Sequence, residues 1–247
     1  MIAAIRSEFR KLLTVRSTYI TLGFALVLEG IFAFWANGYK VDPKALTMPN
    51  FLQSQIVDAV SALGLIGAIV TVLLMTYEYR FNTITYTLTA TNRRLKVLVA
   101  KIIVATCFAL VFTVVMATIS PLAAMLGIHL NGLTMSSQSI AYSDIAWRVL
   151  FYGWGFGMAG LLIAVLVRNQ IGAIAALLLL PGLVEQLLSL LLKSNSIYLP
   201  FSALNAVTHP GTGSHVLTSA GAALVFLCYL VVGWIVAAVL FVRRDAN

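Results

Sequence analysis

Long apolar runs carrying few charges alternate with short, mostly basic connections along this chain. A helix needs about 20 apolar residues to cross the hydrocarbon core of a bilayer. Six stretches approach or exceed that length: Tyr19–Trp35, Ile56–Tyr77, Val97–Leu126, Ile145–Val167, Ile171–Leu192 and Ser219–Val242. The runs are continuous rather than alternating, which favours helices over barrel strands. The third run is longer than the hydrocarbon requires, so its first turns are expected outside it. The pattern predicts an all-α membrane protein with one domain over 1–247. Its parts are an interfacial helix over 1–18, six spans within 19–242 and a tail over 243–247. The first run exceeds the roughly 7–15 residues of a signal-peptide core and no small-x-small site follows it, so it reads as a retained span.

The polar segments add detail. In residues 1–18, Ile2, Ile5, Phe9, Leu12 and Leu13 recur at helical spacing, while Arg6, Arg10 and Lys11 project elsewhere. That arrangement fits a helix lying on the membrane surface, its basic residues toward anionic headgroups. Between spans two and three, Glu78 to Lys96 is too long and too patterned for a minimal turn. Ile84, Leu88 and Leu95 form a candidate apolar stripe on a short helix, which Thr91-Asn92 interrupts. Such a helix suits docking to a partner protein, although a solvated basic loop has the same composition. Spans four and five are joined by the short turn Val167-Arg168-Asn169-Gln170-Ile171. The remaining connections, near 37–55, 127–144 and 193–218, are longer. The last carries Pro200, Pro210, Gly211 and Gly213, which predicts irregular structure.

Composition confirms lipid as the solvent: 61% of the residues are hydrophobic and 10% charged, against about a quarter charged in soluble domains. The net charge of +8 is a topological signal. With the N-terminus inside, Arg6, Arg10, Lys11, Arg16, Arg80, Arg93, Arg94, Lys96, Lys101, Arg168, Arg243 and Arg244 fall on the cytoplasmic side. Only Lys40, Lys44, Arg148 and Lys193 fall outside. Positive residues accumulate on cytoplasmic connections, so both termini are expected in the cytoplasm, and no nucleic-acid patch is needed to explain the charge. Cys107 and Cys228 lie inside apolar runs and read as small core residues, not a disulfide.

Candidate chemistry is sparse. The chain lacks G-x-x-x-x-G-K-[ST], the backbone cradle and lysine that hold nucleotide phosphates. Gly211-Thr-Gly-Ser-His215 has no lysine. His129, His209 and His215 lack metal-ligand spacing, and no nucleophile–base set appears at membrane depth, which disfavours an intramembrane enzyme. Glu29 in span one and Glu185 in span five are the acids to weigh. An ionised acid at the bilayer centre costs about 2.5–3.5 kcal/mol on insertion scales. Each is therefore a candidate for a translocation path or for a carboxyl bonded between helices. Asp58 reads as an N-terminal charge on span two. Pro181-Gly182 predicts a kink or break in span five, and Gly153 and Gly157 in span four share a face suited to close helix packing.

Three cytoplasmic segments resemble the permease subunits of ABC-2-type ATP-binding-cassette exporters, particularly small six-span bacterial ones linked to antibiotic-peptide or drug efflux. Ser7 to Thr18 resembles the family's N-terminal elbow helix. Glu78-Tyr-Arg-Phe-Asn-Thr83, with Leu88 through Arg94 and Lys101, is similar to its coupling segment, though Asn82 stands where the family commonly has glycine. Arg168-Asn-Gln-Ile-Gly-Ala173 is similar to its second cytoplasmic turn. The resemblance implies a non-enzymatic subunit of a bacterial cytoplasmic (inner) membrane, paired with a second permease copy or a related one. A separate ATPase subunit, which binds ATP and magnesium, would grip Glu78, Arg80, Thr83, Ile84 and Leu88, and more weakly Arg168, Asn169 and Gln170. The cargo implied is a hydrophobic or amphipathic compound: a peptide antibiotic, a drug or a lipid-like molecule. The competing expectation is a secondary transporter coupled to protons or ions through Glu29 and Glu185, a class that often shows inverted repeats; no internal repeat is evident.

Overall fold

The computed structural model describes residues 2–81, 83, 94–138, 140–210 and 217–243, with the side chains of Ser17 and Arg94 excepted. Ile84 and Leu88, and with them the expected coupling helix, lie outside the described residues. Among those described, the regular structure is helical: α1 (Ile2–Thr14), α2 (Arg16–Phe32), α3 (Phe51–Arg80), α4 (Arg94–Leu130), α5 (Tyr142–Val167), α6 (Gln170–Leu179), α7 (Glu185–Leu192), α8 (Pro200–Thr208) and α9 (Ser219–Arg243). Six helical spans are long and apolar enough to cross a membrane: Thr18–Tyr39, Phe51–Arg80, Leu95–Leu130, Tyr142–Val167, Gln170–Tyr198 and Ser219–Arg243. Each overlaps one of the six apolar runs. The end of the bundle that carries α1 is called the basic end below.

Helix α5 is the central post. In its most apolar stretch 72% of the residues are buried, against 11% in the α6–α7 span, so α5 faces protein and α6–α7 faces outward. Small residues let its neighbours approach. A Cβ on Gly153 would overlap Thr113 Oγ1 on α4; one on Gly157 would lie 2.8 Å from Ala109 Cβ, and one on Gly160 would lie 2.7 Å from the Ala68 carbonyl oxygen on α3. The glycine face of span four thus packs against α3 and α4 of the same chain.

Helix α4 has 37 residues, about 55 Å at 1.5 Å per residue, against a hydrocarbon core of about 30 Å. Its length leaves turns for the membrane boundary, as the run of hydropathy implied. Helix α2 continues past Trp35 as a π-helix over Ala33–Tyr39. The wide turn brings Gly38 against Gly127 of α4, where a Cβ on Gly38 would stand 2.6 Å from the Ala124 carbonyl oxygen. Trp35 stacks on Tyr39 with ring centroids 5.4 Å apart and lies under Lys40, the amphipathic composition of a membrane–water boundary.

Span five is broken where Pro181-Gly182 predicted it. A π-turn over Leu180–Val184 separates α6 from α7, absorbing the hydrogen bond that Pro181 cannot donate.

The first part of the connection, 193–208, departs from the expected irregular structure, while Gly211 and Gly213 lie outside the described residues. A 3-10 turn over Lys193–Tyr198 leads into α8, whose Phe201, Ala203, Leu204 and Val207 are buried. Pro200 read as a breaker occupies the first turn of α8, where its fixed φ and missing N–H are compatible with a helix start. Asp58 is also placed differently. Helix α3 begins at Phe51, two turns earlier, so Asp58 is no helix-end charge; its Oδ1 lies 3.2 Å from His209 Nε2.

Candidate functional site

On α1 the apolar stripe of Ile5, Phe9 and Leu12 also contains Glu8, at one helical turn from Ile5 and Leu12. The stripe packs inward and carries the acid with it. Glu8 is 1% exposed. The helix ends at Val15, an extended residue (φ −78°, ψ 115°) that turns the chain into α2. That hinge lets α1 lie across the basic ends of α3 and α4.

There the acid meets two lysines and a second acid. Lys101 Nζ of α4, fully buried, donates to Glu8 Oε2 at 2.7 Å and to the Leu74 carbonyl oxygen of α3 at 3.1 Å. It also stands 3.0 Å from Glu78 Oε1. Lys11 Nζ donates to Glu8 Oε1 at 2.6 Å and to Glu78 Oε1 at 2.5 Å. Two carboxylates and two ammonium groups therefore share one buried site that ties α1, α3 and α4 together. By sequence, Lys11 and Lys101 fall among the cytoplasmic charges and, by resemblance, in the elbow helix and the coupling segment. Lys101 is enclosed, and Lys11 turns its charge inward, while Arg6 and Arg10 remain exposed. Burial requires such pairing, because an isolated charge out of water is too costly.

Burial by itself would push the Glu8 carboxyl up. The Lys101 charge and hydrogen bond, joined by those of Lys11, outweigh it and hold Glu8 below its ordinary 4.5. Burial would likewise lower Lys11, but the hydrogen bonds and charges of Glu78 and Glu8 hold it above its ordinary 10.5. The signs give a window. Glu8 contributes its full stabilisation above its unfolded-state value and loses it as pH falls through its lower folded value. Lys11 contributes fully below its unfolded-state value and loses it as pH rises through its higher folded value. The unfolding temperature in detergent is expected to be level between about pH 5 and 10 and to fall on both sides. The alkaline fall is the shallower, because the Lys11 side chain is 39% exposed. Glu8→Gln should flatten the acid side; an unchanged acid limb in that variant would remove Glu8 as its cause.

The other predicted contact residues gather beside the junction. Arg80, at the end of α3, donates from Nη1 to Gln170 Oε1 at 3.2 Å, joining the span-two exit to the turn between spans four and five. Its guanidinium also lies over the Phe81 ring. Arg168 ends α5 in left-handed backbone (φ 56°), donates to the Leu240 carbonyl oxygen at 3.3 Å and sits over the Tyr79 ring, 5.7 Å from its centroid. Asn169 caps α6: its Oδ1 accepts from Gly172 N at 3.0 Å. Thr83 N donates to the Glu78 carbonyl oxygen at 2.9 Å. Arg80, Thr83, Arg168, Asn169 and Gln170 thus belong to one connected surface at the basic end, whereas Glu78, expected there as a contact, is 4% exposed and turned inward onto Lys11 and Lys101.

The two intramembrane acids are apart from that surface. Glu185 is 6% exposed and holds the start of α8. Its Oε1 accepts from Phe201 N at 2.7 Å; its Oε2 accepts from Ser202 N at 2.7 Å and Ser202 Oγ at 2.8 Å. Leu199, the residue before α8, has no side chain that can cap it, so a carboxylate from α7 takes that place. Glu29 is buried on α2; its carbonyl oxygen accepts from Ala33 N, and no hydrogen bond joins its carboxyl to a described residue.

Sequence reasoning found Glu78 but missed its partners Glu8, Lys11 and Lys101 as a unit. The signal was present: Glu8 falls on the apolar face of α1, and Lys101 falls within an apolar run. A profile of the ABC-2 family transporter protein matches residues 4–185, a stretch that includes most of α1, the buried junction, Arg80 and the Arg168–Gln170 turn. No curated protein matches the chain. With well over half of its length inside that match and six apolar helices long enough to span a bilayer, the chain belongs to the ABC-2 transporter family and is a multi-pass membrane protein.

Proposed function

We propose that the chain is the permease subunit of an ABC-2 exporter, driven by a separate ATP-binding-cassette ATPase at the basic end. The observation that carries this reading is the contact of Arg80 with Gln170 beside the Glu8–Lys11–Glu78–Lys101 junction. A protein gripping Arg80, Thr83 and the segment through Ile84 and Leu88 would also hold the Arg168–Gln170 turn, and would act on the enclosed Glu78 through the end of α3 that carries it. Because the junction ties α1 to α3 and α4, a push there moves three helices together. ATP and magnesium belong to the partner chain, which supplies the energy that this one lacks a phosphate cradle to bind. Two permease copies would enclose the path, with both termini cytoplasmic in a bacterial inner membrane. Glu29, buried in span one, is the acid assigned to that path; Glu185 is assigned to holding α8. The cargo assigned is a hydrophobic or amphipathic compound, in keeping with a chain whose outward faces are apolar.

The test is to purify the tagged chain from its native membrane and assay ATPase activity. A soluble ATPase subunit should co-purify, and Arg80→Glu, an exposed change outside the buried junction, should release it or uncouple its activity from transport. A chain that purifies alone and still moves cargo down a proton gradient would establish a secondary transporter instead.

A further inference from the structure

A groove of about 630 Å³ opens between the end of α1, the start of α2 and the basic half of α3, a volume typical of small-ligand sites. Lys11 and Arg16 line it beside the hinge at Val15, with Glu78, which is paired with Lys11, on the facing helix; Leu12, Val70 and Leu74 add apolar wall. Val70 lies eight residues before Glu78 on α3, so the groove runs about 12 Å along that helix. Lys11 is already held by Glu8 and Glu78. Arg16 is exposed and enters no ion pair with a described residue. It follows the hinge by one residue, at the step from a surface helix to a membrane span, which is the level where headgroups meet acyl chains.

A cation without an acid partner, at the interfacial mouth of an apolar trough that continues toward the hydrocarbon, matches a ligand with an anion at one end and a hydrocarbon chain behind it. We propose that this groove binds an anionic phospholipid from the leaflet facing the basic end. Its phosphate rests on the Arg16 guanidinium, a donor fork suited to phosphate oxygens, and one acyl chain lies along Val70 and Leu74. Arg6 and Arg10 are also exposed on α1 but line no part of the groove. They supply only diffuse attraction to the surface, and serve as internal controls.

The experiment uses the full chain in neutral-detergent micelles, titrated with fluorescent phosphatidylglycerol and, separately, with phosphatidylcholine carrying the same chains. Phosphatidylglycerol should bind saturably and more tightly. Arg16→Gln, an exposed change that leaves the core intact, should weaken it about fivefold or more, the order expected from one interfacial cation. Val15→Trp, a half-buried lining position that narrows the groove without entering the core, should weaken both lipids, and Arg6→Gln with Arg10→Gln should change neither by as much as twofold. An unaffected Arg16→Gln variant overturns the proposal. So does equal weakening by the Arg6 and Arg10 changes, which would mean diffuse surface charge, or displacement by excess inorganic phosphate, which would mean a simple anion site. A hydrophobic transport substrate that competes while phosphatidylglycerol and phosphatidylcholine bind alike would assign the groove to cargo and also overturn it.

Discussion

Lys101→Met is expected to destabilise the chain by about 3–5 kcal/mol, the cost of stripping one partner from a buried ion pair. The Lys101 side chain is fully enclosed and its ammonium touches Glu8, Glu78 and the Leu74 carbonyl oxygen. Without it, two buried carboxylates share only Lys11, whose side chain is 39% exposed. Glu8 would then be driven to take up a proton, and α1 would loosen from α3 and α4. At about 2–4 °C per kcal/mol for a chain of this size, the unfolding temperature in detergent should fall by roughly 10 °C. Lys11→Met should cost less, since water reaches that side of the junction. Adding Glu8→Gln to Lys101→Met should restore part of the loss, because removing both partners leaves less uncompensated charge. A drop below about 2 °C for Lys101→Met would show that the four groups do not act as a unit.

The second large effect is expected at Glu185. Glu185→Ala leaves the Phe201 and Ser202 amides without their acceptor at the start of α8, each costing about 1–3 kcal/mol when buried. Glu185→Gln should cost roughly half as much: its amide oxygen can accept from one N–H while its NH₂ faces the other. Hydrogen exchange over 200–208 is the discriminating readout, since loss of the cap frees those amides first. Protection should fall in both variants, further in Glu185→Ala. If exchange stays unchanged and transport alone is lost, Glu185 acts on cargo, and its contact with α8 is incidental.

The six spans were legible because hydrocarbon thickness and the need to satisfy every backbone group leave a simple one-dimensional signature. The break at Pro181-Gly182 was legible for a local reason, the donor that proline lacks. Helix α8 was not. Its start depends on Glu185, fourteen residues before Leu199, and no propensity scale reports a cap delivered from another helix. Asp58 was misread for a related reason: the helix start at Phe51 lies among residues less apolar than the span itself. At the basic end, the resemblance to the family singled out Glu78, Arg80 and the Arg168 turn as separate segments. That Arg80 meets Gln170, ninety residues away, is a product of tertiary packing. Lys101 was counted as a surface charge because the inside rule treats every basic residue near a span end alike. Only the third dimension distinguishes a lysine in water from one enclosed by two acids.

The enclosed lysine gives this chain an order of biogenesis. While the nascent chain is inserted, Glu8 and Lys11 are synthesised long before Lys101, and they wait in the aqueous layer with no buried partner. Lys101 then arrives as one of the basic residues at the start of the third span, where its charge helps fix which end of that span stays behind. Once α4 is in place the same ammonium has a different part, neutralising Glu8 as α1 closes over the ends of α3 and α4. One side chain thus serves first as an address and then as a bolt. The bolt cannot close until three spans have been threaded, so a chain whose third span entered the wrong way round would leave Glu8 without its enclosed partner.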